Sequence, residues 1–286
     1  MSRICFVASE IAPLAKTGGL ADVAGALPRY LHSRGHDIRL FMPLYSSIGL
    51  PALGATPVDV AQAIELRLGT HVYHFSLLET RLPGSTVPLY LIHCPAVFDR
   101  PSIYTSGPDE HLRFLVLQRA VLEACQRLQF APDIIHCNDW HTALVPILLK
   151  TAYAWDRLFA RAKTVLSIHN IGYQGAFPAA TMYDTGTDIR SLIDPVVASS
   201  GSINWLREGI RHAHRVSTVS PTYAQEICTP SGGHGLDPVL RARTDGVVGI
   251  LNGVDYTEWS PTTDRYLKHP YSIDDLSGKA DRKSVV

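Results

Sequence analysis

Ile4-Cys5-Phe6-Val7-Ala8 is an unbroken apolar run, and five consecutive apolar residues suit a strand covered on both faces inside a parallel sheet. A loop with Pro13, Gly18 and Gly19 follows. Leu20, Val23, Ala24, Leu27 and Leu31 then recur at helical spacing and give the next segment a single apolar stripe. Gly35 is the natural stop, and Ile38-Arg39-Leu40-Phe41-Met42 reads as a second strand before Pro43. A strand, a crossover helix and a strand restrict the chain to an α/β architecture from its first forty-three residues.

Residues 64–94 break that rhythm. Glu65 to Leu68, Val72 to Leu78 and Val87 to His93 are short runs separated by Gly69-Thr70 and Pro83-Gly84. They predict hairpin strands that either continue the sheet at its edge or form a small insertion. Ser106 and Asp109 have the spacing of a capping box ahead of a long helix, about 109–129. From Asp133 the alternation returns. Ile134 to Cys137 predicts a strand, 141–150 a helix, Thr164 to Ile168 a strand, and about 203–214 a helix. Val216 to Val219 predicts a strand, Pro221 to Cys228 a helix with proline in its first turn, and Val247 to Leu251 a last strand. The expected fold class is α/β, a mainly parallel Rossmann-like sheet flanked by helices.

Composition narrows the function. In 286 residues, 26 Lys+Arg balance 26 Asp+Glu, which argues against a nucleic-acid binder held by a basic surface. The five cysteines are scattered without a CxxC pair, so buried reduced thiols are expected and not a disulfide framework or a structural zinc site. The longest apolar run, Ala143 to Leu149, is far below the roughly 20 residues that span a bilayer, and no signal-peptide h-region is visible. A cytoplasmic protein with neither nucleic-acid nor membrane partners is expected.

The unusual polar residues follow the strands. Lys16-Thr17-Gly18-Gly19, Asn138-Asp139-Trp140-His141, His169-Asn170, Ser220 and Asn252-Gly253 each lie just past a predicted strand end. Parallel α/β sheets bind ligands outside their carboxyl ends, so these clusters are expected on one functional rim. Lys-Thr-Gly-Gly ahead of a helix offers backbone N–H groups and the positive end of a dipole to an anion, with Asp22 in the first helical turn. The lysine precedes the glycines, so this is neither a Walker loop nor GxGxxG. A tight turn with a solvated lysine explains the same residues. In the second cluster, a carboxylate, an indole and an imidazole suit sugar hydroxyls and ring faces, or else Asp139 is an N-cap and Trp140 core. His169-Asn170-Ile171-Gly172-Tyr173-Gln174-Gly175 forms a polar loop around a histidine. Ser231-Gly232-Gly233-His234-Gly235 is either a substrate-touching loop or a plain flexible connection.

Together, Lys16 to Val23, Asn138 to His141, His169 to Gly175, Thr218 to Ala224 and Gly249 to Asp255 resemble the bacterial glycogen synthase family, whose motifs plant starch synthases share. The resemblance runs from residue 3 to about 280. It implies a retaining glycosyltransferase, a hexosyltransferase of the two-Rossmann-domain (GT-B) type, moving glucose from ADP-glucose to the non-reducing end of an α-1,4-glucan in glycogen biosynthesis. By similarity, Lys16, Gly18, Gly19 and Asp22 lie by the donor phosphates and Asp139 and His169 by the glucosyl group. Tyr104, Trp140, Asn170, Tyr173 and Asn252 would line the cleft. No metal and no cofactor beyond the donor substrate are implied.

The resemblance further implies that residues 1–255 form the N-terminal catalytic domain and 256–286 a linker toward a C-terminal Rossmann domain that is a missing partner here. In the family that half carries most of the adenosine surface and the groups that grip the leaving diphosphate. One lysine and a helix end worth about half a charge do not neutralise a diphosphate, so the 286-residue chain is expected to be nearly inactive alone. A non-catalytic glucan-binding module is the alternative, told apart by saccharide binding without turnover. A nicotinamide oxidoreductase is disfavoured because no GxGxxG follows the first strand.

Overall fold

The computed structural model describes residues 1–189, 192–193, 201–253 and 260–283. They fall into two compact units, Met1–Leu251 and Asn252–Val286. The expected boundary between residues 255 and 256 lies outside the described residues.

In the first unit, ten strands form one sheet among the described residues. Seven of them run parallel in the order β12 (Val248–Gly249), β11 (Arg215–Thr218), β8 (Lys163–Ile168), β7 (Ile134–Asn138), β1 (Arg3–Val7), β2 (Asp37–Pro43), β6 (Pro88–His93). The hairpin residues settle as the sheet's antiparallel end. β5 (His71–Arg81) pairs with β6 on one side and with β3 (Thr56–Pro57) and β4 (Ile64–Leu68) on the other. A separate ribbon joins β9 (Ala176–Pro178) to β10 (Ser202–Asn204).

β1 lies at the centre because it is apolar on both faces: Cys5, Phe6 and Val7 are fully buried. Its parallel neighbours are β2 and β7, with Val7 opposite both Phe41 and Cys137. The chain first builds outward from β1 through β2 and β6, then returns to β7 and builds the other way. The order therefore reverses between β1 and β7, and a crevice opens at their carboxyl ends.

The Gly19–Ser33 helix follows β1 and closes where Gly35 takes a positive φ of 86°. The Glu110–Arg127 helix is almost entirely buried, with Phe114, Leu117, Val121 and Cys125 in the core. Its start corrects one expectation. Asp109 occupies the N-cap but its side chain caps no backbone N–H; the carboxylate pairs instead with the Arg100 guanidinium at 2.5 Å. The predicted 141–150 helix is also divided, into a 3₁₀ turn at Trp140–Thr142 and the Val145–Leu148 helix, with Pro146 starting the second piece. In the second unit the described residues form turns and the Ser277–Lys283 helix.

Candidate functional site

Four of the predicted clusters meet at the carboxyl ends of neighbouring strands: Lys16-Thr17-Gly18-Gly19 after β1, Asp139 after β7, His169-Asn170 after β8 and Ser220 after β11. Parallel register brings them there. Asn138 sits opposite Ser167, and Ile168 opposite Thr218, so each strand delivers its next residue to the same edge. Asn252 is exposed and opens the second unit.

Asp139 stands where β7 turns. Its φ of 55° with ψ of −173° is a backbone conformation that costs a non-glycine residue of the order of 1–3 kcal/mol. The carboxylate does not cap the following turn. Oδ1 accepts from the His169 N–H at 2.7 Å and the Asn170 N–H at 3.4 Å, stitching the β7 and β8 loops together. Burial pushes its pKa up to about 7; the two backbone N–H groups oppose this, and the negative charge of Glu10 adds to it. Near neutrality the group is divided between acid and carboxylate.

His169 is positioned by Asn138, which is fully buried. Asn138 Nδ2 donates to the Val7 carbonyl at 2.9 Å, so its Oδ1, 2.9 Å from His169 Nε2, must be the acceptor. The imidazole proton therefore resides on Nε2. Nδ1 is left as a buried lone pair with no partner among the described residues. Burial lowers the His169 pKa to about 4, so the ring is neutral at pH 7 and Nδ1 keeps its lone pair.

The glycine loop holds a residue that the sequence did not single out. Glu10, 3% exposed, accepts from the Thr17 N–H, from Thr17 Oγ1 at 2.7 Å and from the Gly18 N–H at 3.3 Å. Tyr104 Oη also donates to it, and Tyr104 contacts Ser9 Oγ at 2.9 Å. Tyr104 is thus brought to this rim, stacked on the buried His141 ring at 4.7 Å. An acidic residue eight positions before Gly18 carries no periodic or motif signal; its role depends on the loop folding back.

Lys16 Nζ lies 2.6 Å from Asp22 Oδ1, with both side chains about two-fifths exposed. Asp22 is therefore a charge partner of Lys16 at the helix start. Gly18 has φ −150°, and neither Gly18 nor Gly19 lies in the left-handed region. A Cβ built on either would meet nothing within 4 Å. Neither backbone conformation nor packing in the chain itself requires glycine at these two positions, which leaves room for close approach from outside.

Trp140 is not on the cleft surface. It is 8% exposed, with Phe114 at 5.0 Å, Phe177 at 5.5 Å and Trp205 at 6.0 Å between ring centroids. An indole flanked by three aromatic neighbours gains more from burial than from a wet rim. Tyr173, by contrast, is 68% exposed, and Asn170 is exposed with its Oδ1 held by the Gly172 N–H at 2.9 Å. Ser220 serves as the N-cap of the Pro221–Glu226 helix, accepting from Tyr223 N. No helix among the described residues is long and apolar enough to cross a membrane.

Comparison with known proteins places this geometry in context. Residues 3–242 match the family profile of the starch synthase catalytic domain. The chain is 39% identical over 288 residues to the glycogen synthase of Geotalea daltonii, covering 99% of this chain and 59% of that protein. It is 43% identical over 285 residues to the glycogen synthase of Syntrophotalea carbinolica, covering 98% and 58%. Among solved structures, the catalytic domain of starch synthase IV from Arabidopsis thaliana, bound to ADP and acarbose, superposes with a TM-score of 0.86 at 33% identity. That alignment covers 99% of this chain and 58% of the plant chain. The chain thus spans just under three fifths of the length of these relatives.

Proposed function

The chain belongs to the starch synthase catalytic-domain family, a GT-B glycosyltransferase fold, and from that premise we propose that it supplies the N-terminal half of a site that moves glucose from ADP-glucose to an α-1,4-glucan with retention of configuration. One observation carries the reading: at the reversal point of the sheet, Asp139 and the neutral His169 are locked side by side, with the His169 Nδ1 lone pair unspent.

In this reading Nδ1 accepts from a hydroxyl of the transferred glucose and orients it. Asp139 Oδ1 is occupied by two backbone N–H groups, while among the described residues no hydrogen bond to Oδ2 occurs. Oδ2 then faces the sugar, where a carboxylate stabilises positive charge developing on the anomeric carbon as the bond to the diphosphate lengthens. The open space over Gly18 and Gly19 would take the donor phosphates, and Tyr104, Asn170 and Tyr173 would line the cleft. The reading gives no metal or cofactor a role.

Electrostatics supports an incomplete donor site. The charge of Lys16 is offset by Asp22, and the loop N–H groups of Thr17 and Gly18 are occupied by the Glu10 carboxylate. Lys16, Asp22 and Glu10 together carry a net negative charge, against about half a positive charge from the helix end. A leaving diphosphate needs cations from elsewhere, so the 286-residue chain alone would turn over poorly. The same balance favours the second reading, a glucan-binding module without transfer.

The test is calorimetric titration of the purified chain with maltoheptaose and with ADP, alongside an assay of glucan elongation from ADP-glucose. Saccharide and ADP binding with little elongation is expected. Saccharide binding with no ADP binding would favour the module, and no binding of either would overturn both.

A further inference from the structure

Gln174 joins three segments through a hydrogen-bond chain whose direction is fully determined. Asn204 Oδ1 caps the Trp205–His212 helix by accepting from the Arg207 N–H at 2.9 Å, so its Nδ2 is the donor to Gln174 Oε1 at 2.6 Å. That fixes the Gln174 amide with both Nε2 protons on the far side. They go to the Ile171 carbonyl at 3.0 Å, inside its own loop, and to the His234 carbonyl at 3.0 Å, in the glycine-rich loop. The Gln174 and Gly175 carbonyls accept from the Leu206 and Trp205 N–H groups, both at 3.0 Å, anchoring the same segment to the helix start.

The loop on the other side is shaped as tightly. A Cβ on Gly232 would run into the Glu226 carbonyl, and one on Gly233 would lie 2.6 Å from both Asp237 Cβ and the Ile227 carbonyl. Arg207 Nη2 takes the Gly235 carbonyl at 3.0 Å, next to the one that Gln174 holds. His234 has φ +48° yet an exposed side chain. A strained non-glycine residue in a close-packed loop, with two successive carbonyls claimed from other segments, is overdetermined for a plain connection.

We propose that Gln174 is a positioning residue, which sets the Ser231–Gly235 loop against the His169–Gly175 loop so that His234 and the Asn170-Tyr173 rim present one saccharide-contacting surface. This rests on the proposed glucan-binding function of the site and adds to it a residue acting through its neighbours.

The test uses the purified chain with Gln174→Glu and, as a second variant, Arg207→Met. Gln174→Glu replaces both donated protons with a carboxylate facing two carbonyls. Arg207→Met removes the other tie to the glycine loop without touching Gln174. Hydrogen exchange of the peptide covering 229–237 should accelerate about tenfold or more in each variant, and maltoheptaose affinity measured by calorimetry should fall about tenfold, with the unfolding midpoint nearly unchanged. Faster exchange with undiminished affinity in both variants overturns the inference alone, as does unchanged exchange in Gln174→Glu. A wild-type chain that binds no maltoheptaose overturns the functional reading on which the inference rests.

Discussion

His169 Nε2 donates to Asn138 Oδ1 over 2.9 Å, and Asn138 can only accept there because its own amide protons are directed at the Val7 carbonyl. The tautomer of the site histidine is thus determined by a residue on β7 and a carbonyl on β1, two strands that meet where the sheet order reverses. Asn138→Asp keeps the shape and changes the logic. A carboxylate beside the ring favours imidazolium, and the Val7 carbonyl loses its donor. The His169 pKa should climb from about 4 by at least about one unit in an NMR titration, with a stability loss of about 1–3 kcal/mol in urea at pH 7. An unmoved titration would remove Asn138 from this role.

Asp139 makes stability depend on pH in a predictable direction. Its folded-state pKa of about 7 lies above the ordinary carboxylate value of 3.8. The native state therefore holds a proton that the unfolded chain releases between about pH 4 and 7, and its stabilising contribution is present below that window and lost as pH rises through it. Asp139→Asn cannot ionise and keeps an oxygen for the His169 N–H. The variant should gain on the wild type across that window at of the order of 1.4 kcal/mol per pH unit at most, with the gap flat above it. Denaturation midpoints from pH 4 to 8 measure this; a variant that loses ground to the wild type as pH rises contradicts it.

Gly19→Ala separates folding from binding. Nothing lies within 4 Å of the added methyl, and alanine is the better helix former, so the melting temperature should hold or rise by the equivalent of about 0.5–1 kcal/mol. If the open space serves a phosphate, ADP affinity drops about tenfold at the same time. Equal ADP binding by the two proteins would assign the glycine no such part.

Trp140 and Gly175 form a packing pair. A Cβ on Gly175 would run into the indole, and the residue's φ of +62° disfavours any side chain. Gly175→Ala should destabilise by at least about 2 kcal/mol, and Trp140→Ala by about 3–5 kcal/mol, as expected for deleting a buried aromatic. Differential scanning calorimetry reads both. A Trp140→Ala protein of native stability that has lost only saccharide binding would return the indole to the cleft.

The sequence alone determined the architecture. Apolar runs such as Cys5-Phe6-Val7, alternating with helical stripes, permit little except a parallel sheet with helices on its faces, because a strand buried on both sides needs cover on both sides. It also located the rim, since polar residues past strand ends have one place to go once the strands are parallel. The starch synthase motifs were legible for the same reason: each is a contiguous stretch.

What only the tertiary structure decided was which polar groups are spent on one another. Asp139 could have capped its own turn, and instead it reaches across to His169 on the next strand. Trp140 could have faced a sugar, and it is buried because the Glu110–Arg127 helix brings Phe114 to it. Glu10 gave no signal, since its four hydrogen bonds form only when the loop after β1 turns back and Tyr104 arrives from ninety-four residues away. Local pattern records burial and periodicity, which depend on neighbours in the chain. Hydrogen-bond partners, charge states and tautomers depend on neighbours in space, and only the folded sheet supplies those.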